Sequence, residues 1–287
     1  MEPDRMTRVE ANGLTFQLAH WEGNGLNVLA IHGLTANCRS FDQIAGDISP
    51  KHNLFAMDLR GRGFSDKPAQ GYSIYHHCRD IIAILEKLDL SEAVLVGHSL
   101  GAAIALEFAA RYPARTAGLI LLDGGGQLSE EQMNKVLRGI KPTVDRVGKV
   151  FADFQEYIAP LKNSPVLQPW NQALENCYWY EVQNDSEGVK SRMRPENIQE
   201  ELENLSETDL RETYEKISCP VLILRATQGM LQEDDLLLPR DVTETMLRMI
   251  PDARVEDVPG MNHYTIVFQP SPERTTAIHS FLSEIYK

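Results

Sequence analysis

Short apolar runs recur along this chain, and stretches with helical periodicity separate them. Residues 26–31, 53–58, 94–98, 117–122 and 219–224 are each five or six residues long and rich in Val, Ile and Leu. Runs of that length, apolar on both faces, predict strands of a mostly parallel sheet covered by helices on both sides. Residues 14–21 alternate in character and predict an early antiparallel strand, and 253–258 predicts one more strand near the end of the chain. Between the runs, 73–88 places Ile81, Ile82, Leu85 and Leu88 on one helical face. A second helix starts after Ser99 and runs to Arg111, where Tyr112-Pro113 stops it, and 271–286 predicts a closing helix.

The pattern breaks in the middle. Residues 128–215 show helical periodicity, five prolines (Pro142, Pro160, Pro165, Pro169, Pro195) and many charges, with no convincing strand. Sheet-like runs then resume. The expected organisation is a core formed by 1–127 and 216–287, carrying a helical insertion, 128–215, as a cap. There is no internal repeat.

Composition narrows the function classes. The chain has 28 Lys+Arg against 41 Asp+Glu, a net charge of −13 with no evident basic patch, which argues against nucleic acid or an anionic membrane as partner. Four separated cysteines (Cys38, Cys78, Cys177, Cys219) show no metal-type spacing and suit free thiols in a reducing compartment. With no secretory signal and no apolar run long enough to span a bilayer, a cytoplasmic protein is expected.

The chemistry centres on Gly97-His98-Ser99-Leu100-Gly101. A strand that ends in Gly-x-Ser-x-Gly and opens a helix raises one hydroxyl above the sheet on a tight turn, with small flanking residues that let strand and helix approach. A serine hydroxyl needs a base, and the base needs an orienting acid. His263, on the loop Gly260-Met261-Asn262-His263 after the last strand, is the expected base. His98 is expected to face away from Ser99, and His76 and His77, with no visible metal partners, to be structural. The oxyanion donors are expected to be the backbone N–H groups of Leu100 and of Leu34, the latter on the loop after His32-Gly33.

His32-Gly33-Leu34-Thr35, the segment 58–66 (DLRGRGFSD), Gly97-His98-Ser99-Leu100-Gly101 and Asn262-His263, in that order, resemble the α/β-hydrolase superfamily, and its capped, esterase-like members in particular. The resemblance covers nearly the whole chain outside the insertion. It implies an eight-stranded fold, hydrolysis of acyl esters and no cofactor, with 58–66 a structural turn near the site. The chain departs from the family pattern at the acid. Residues 225–230, where an aspartate is usual, hold no carboxylate. Asp123, at the end of the strand after the nucleophile helix, occupies the other position used in the superfamily, and Asp234 or Asp235 is the alternative.

In the insertion, Trp170, Tyr178, Trp179 and Tyr180 either wall a substrate pocket or pack the insertion onto the core. The reading that follows is a serine esterase for small to medium carboxylic esters, acting through an acyl-enzyme on Ser99. Carbon–carbon cleavage of a ring-fission diketone, or lactone hydrolysis, is the alternative on the same residues. A receptor that keeps the fold without turnover is the alternative of another class. Oligomeric state, including a homo-oligomer, is left open.

Overall fold

The apolar runs form the centre of one eight-stranded sheet in the computed structural model, which describes residues 1–286. In chain order the strands are β1 (Arg5–Ala11), β2 (Leu14–Trp21), β3 (Asn27–Ile31), β4 (Asn53–Met57), β5 (Ala93–His98), β6 (Thr116–Leu122), β7 (Val150–Phe151), β8 (Val182–Asp185), β9 (Gly188–Ser191), β10 (Val221–Ala226) and β11 (Ala253–Val258). The large sheet has the order β1-β2-β4-β3-β5-β6-β10-β11. Only β2 runs antiparallel to its neighbours; β4 to β11 along that order are parallel.

Because successive strand side chains point to opposite faces, each central strand feeds two cores. Leu29, Ile31 and Leu95 join one cluster, with Ile81, Ile84 and Leu85 of the helix Ile74–Lys87 and Ile104 and Phe108 of the helix Leu100–Arg111. Val28, Ala30, Val94 and Val96 join the other, with Ile278, Phe281 and Leu282 of the closing helix Pro272–Ile285. This double burial is why the central strands read as unbroken apolar runs.

Two features depart from the sequence expectation. The eighth strand, β1, lies at an edge, and only Val9 and Ala11 of its seven residues are buried, so its sequence carries little strand signal. The segment 128–215 is not purely helical. Besides the helices Glu130–Val144, Phe154–Lys162, Gln172–Glu181 and Pro195–Ser206, it holds a three-stranded sheet in the order β7-β9-β8. Those strands are two to four residues long and almost wholly without buried residues, too short to show a period of two.

Buried polar contacts tie this segment to the rest. Glu201 lies 2.8 Å from Arg62 and 2.9 Å from His77, with all three side chains fully or almost fully buried. Burial alone would raise the Glu201 carboxyl, but His77 and Arg62 beside it outweigh that and hold it at about 2. Arg146 pairs with Glu181 at 2.6 Å and donates to the carbonyl of Thr35, while the Tyr157 hydroxyl donates to the same carboxylate. Tyr180 donates to Asp58 at 2.8 Å. Among the described residues no helix is long and apolar enough to cross a membrane.

Candidate active site

Ser99 sits between β5 and the helix Leu100–Arg111 with φ 57° and ψ −119°, a conformation that non-glycine residues rarely adopt. Close backbone packing on three sides holds it there. A side chain at Gly97 would collide with the backbone of Gly101, and one at Gly101 with the carbonyl of Ile31. One at Gly124 would come within 2.6 Å of the Ser99 carbonyl oxygen. Leu100 is the first residue of its helix, so its N–H has no intrahelical acceptor.

β5 and β6 are neighbours, so Asp123, next after β6, stands beside the serine turn. Asp123 is buried and also has a positive φ, 43°. Its Oδ1 accepts from the N–H of Ala226 at 3.1 Å, and its Oδ2 lies 2.9 Å from Nδ1 of His263. The carboxylate accepts from Nδ1–H, which leaves Nε2 of the imidazole free to take a proton. His263 and Ser99 line one cavity of about 50 Å³.

His98 lines the same cavity as Ser99 and His263, and it acts on the expected base. Its ring stacks on His263 with centroids 4.6 Å apart, and its Nε2 donates to the His263 carbonyl at 2.9 Å. Burial, and then the neighbouring His263, push its pKa well below 6.5, so it stays neutral with the proton on Nε2. The sequence places His98 beside Ser99 but gives no sign of this reach across to residue 263.

The loop carrying Leu34 is also held from behind. His32 Nδ1 donates to the Gly33 carbonyl at 2.7 Å, and its Nε2 accepts from the N–H of Leu59 at 3.0 Å. Burial lowers the His32 pKa to about 3, which keeps Nε2 bare for that bond. In a trans peptide the N–H points opposite the carbonyl, so anchoring the Gly33 carbonyl turns the Leu34 N–H to the other side. Arg62 fixes the next peptide by donating to the Leu34 carbonyl at 3.0 Å. Leu34 and Leu100 both line a cavity with Ser99. Sequence reasoning named Leu34 but not the roles of His32 and Arg62.

The other candidate residues fall elsewhere. Asp234 is an exposed partner of Lys135 at 2.8 Å. Asp235 is buried and accepts from the N–H groups of Met230, Leu231 and Gln232, organising its own loop. Neither carboxylate is bonded to His263. Of the four aromatic residues, only Tyr178 lines a cavity with Ser99, stacked on Trp170 at 5.7 Å. Trp170 itself packs at the edge of the segment, its indole donating to Glu175. Trp179 is 64% exposed and lies with Tyr180 and Phe64 along an outer groove. The Tyr180 hydroxyl is occupied by Asp58, so this residue anchors the segment instead of walling the site. The segment 58–66 is structural, as expected: Asp58 accepts from the N–H groups of Cys38 and Phe64 as well as from Tyr180.

This geometry matches a known class. The model of the alpha/beta hydrolase fold family matches residues 27–270, and the chain belongs to that family. A hydrolase of the α/β fold is the level of function that this membership carries. Over 279 residues the chain is 28% identical to a 2-(acetamidomethylene)succinate hydrolase from Mesorhizobium japonicum, covering 96% of this chain and 94% of the relative. The crystal structure of an E-2-(acetamidomethylene)succinate hydrolase superposes with a TM-score of 0.83 at 25% identity, covering 97% of this chain and 99% of the other. An N-formylmaleamic acid deformylase from Pseudomonas putida shares the fold, with a TM-score of 0.74 at 17% identity over 96% of this chain and all of the other (100%).

Proposed function

We propose that the protein is a serine hydrolase that cleaves small to medium carboxylic esters through an acyl-enzyme on Ser99. The observation that carries this reading is the 2.9 Å contact of His263 Nδ1 with Asp123 beside a serine at φ 57°. His263 Nε2 takes the Ser99 proton as Oγ bonds to the ester carbonyl carbon. The N–H groups of Leu34 and Leu100 stabilise the oxyanion, each such donor being worth about 3 kcal/mol of barrier. The C–O bond to the alcohol then breaks, and His263 returns the proton to the departing oxygen. Water, deprotonated by the same imidazole, attacks the acyl carbon and releases the acid and Ser99. Asp123 keeps Nδ1 protonated throughout. Residues of the segment 128–215 wall the space beside Ser99, which supports the view of that segment as a cap.

The same steps cleave an amide when the departing atom is nitrogen. The name of the Mesorhizobium relative favours that as the second reading. The test is diisopropyl fluorophosphate labelling followed by peptide mass analysis, with hydrolysis of methyl acetate followed by pH-stat. A phosphoryl adduct on Ser99 and ester turnover that Ser99→Ala abolishes are expected. An unlabelled Ser99 and no turnover above the variant would refute the reading.

A further inference from the structure

Two cavities meet at Ser99, and they differ in which polar side chains they hold. The first, about 100 Å³, is walled by Leu100, Val136, Leu137, Leu202, Leu205 and Leu237. Besides Ser99 its polar side chains are Gln127 and Thr208, and the Gln127 Oε1 is already taken by the N–H of Leu210. Among the described residues no lysine, arginine or histidine lines it. The second, about 50 Å³, carries His263 together with hydroxyl-bearing side chains: Thr35, Ser40, Thr143, Tyr178 and Tyr264. Ser99, Leu34 and Ile140 border both cavities.

The mechanism proposed above, on which this inference rests, fixes the direction of the substrate. The departing oxygen takes its proton from His263, so the alcohol lies on the His263 side, in the smaller cavity. The acyl chain is left with the cavity that holds no cationic side chain. An apolar cavity of about 150 Å³ takes up benzene, with six carbons, so one of about 100 Å³ takes about four. A carboxylate at the end of that chain would lie against leucine and valine side chains with no cation to meet it, which is unfavourable.

We infer that the protein selects esters of short, uncharged, unbranched acids, with about four carbons beyond the carbonyl and a small alcohol, and rejects dicarboxylate monoesters.

The test uses methyl esters in a pH-stat: methyl acetate, methyl pentanoate, methyl decanoate and monomethyl succinate, which closely matches the pentanoate in length but ends in a carboxylate. The expected kcat/KM is highest for the pentanoate, about tenfold lower for the acetate and the decanoate, and about 100-fold lower for the succinate. Leu137→Trp, and independently Leu205→Phe from another helix, are expected to lower the pentanoate-to-acetate ratio about tenfold by filling the cavity. Monomethyl succinate cleaved as fast as the pentanoate, or an unchanged ratio in both variants, would overturn the inference. If Ser99 still takes the fluorophosphate label in that case, the serine-hydrolase reading stands without it. Absence of both label and turnover would remove the two together.

Discussion

The sheet-borne half of the site and the segment 128–215 share apolar packing but differ in how much buried charge is added to it. Ser99 and Asp123 stand at the ends of strands whose side chains are buried on both faces, and His263 reaches them from the loop after the edge strand β11. The segment shares the apolar clusters of the sheet and adds buried polar attachments to them: Glu201 to Arg62 and His77, Arg146 to the Thr35 carbonyl, Tyr180 to Asp58. Apolar packing tolerates substitution by degrees. A buried ion pair loses most of its value at once when one partner goes. On the proposed reading, the reacting groups rest on the sheet, and the substrate walls rest on a segment whose apolar packing is supplemented by a few buried polar attachments.

The sharpest way to break this comparison is at the acid. Asp123→Asn should lower kcat/KM on methyl pentanoate by about 10⁴-fold by favouring the wrong imidazole tautomer, whereas Asp234→Asn should stay within about twofold. Equal losses in the two variants, measured side by side, would mean that the strand-end pair does not orient His263. Glu201→Gln probes the docking side. It leaves Arg62 and His77 buried without a carboxylate and should cost about 3 kcal/mol in urea unfolding. A loss below about 0.5 kcal/mol, the usual range for a surface change, would show that the segment is attached by packing alone.

A smaller effect separates the anchored loop from the rest. The His32 pKa falls from 6.5 to about 3 on folding, so between those values the unfolded chain binds a proton that the folded one does not. Stability is then lost as pH falls, by about 1.4 kcal/mol per unit for that one group. Unfolding curves at pH 6 and pH 5 should show that slope shrinking by one proton in His32→Asn. Smallest of all, Trp179→Ala should leave kcat/KM on methyl pentanoate within about twofold, since the ring lies along the outer groove. A tenfold fall would return Trp179 to the substrate wall.

Legibility in the sequence divides along the same line. Strands β3 to β6 and β10 could be read because burial on both faces leaves unbroken apolar runs. Ser99 could be placed because it directly follows a predicted strand, His263 because it lies on the loop after the last one, and Asp123 because it follows the strand next to β5. β1 escaped because an edge strand with two buried residues has no pattern to show. The sheet β7-β9-β8 escaped because its strands are shorter than the period that identifies them. The contacts of His98 with residue 263, and of Glu201 with Arg62 and His77, join positions more than 100 apart in the chain. No local spacing encodes such contacts, so the sequence leaves Tyr180 open between pocket wall and packing residue, and its bond to Asp58 makes it a tether.

The glycines packed against Ser99 have a consequence for how this enzyme changes over generations. Gly97, Gly101 and Gly124 leave no room for even a methyl group without moving the neighbouring backbone. Those positions are closed to the other amino acids, and the offset between the serine turn and the Asp123 strand end becomes a fixed dimension of the sheet. Inherited variation has little scope to retune the reacting groups against one another. On the proposed reading it is steered towards Val136, Leu137, Leu202 and Leu205, which line the cavity beside Ser99 and leave the strand ends untouched.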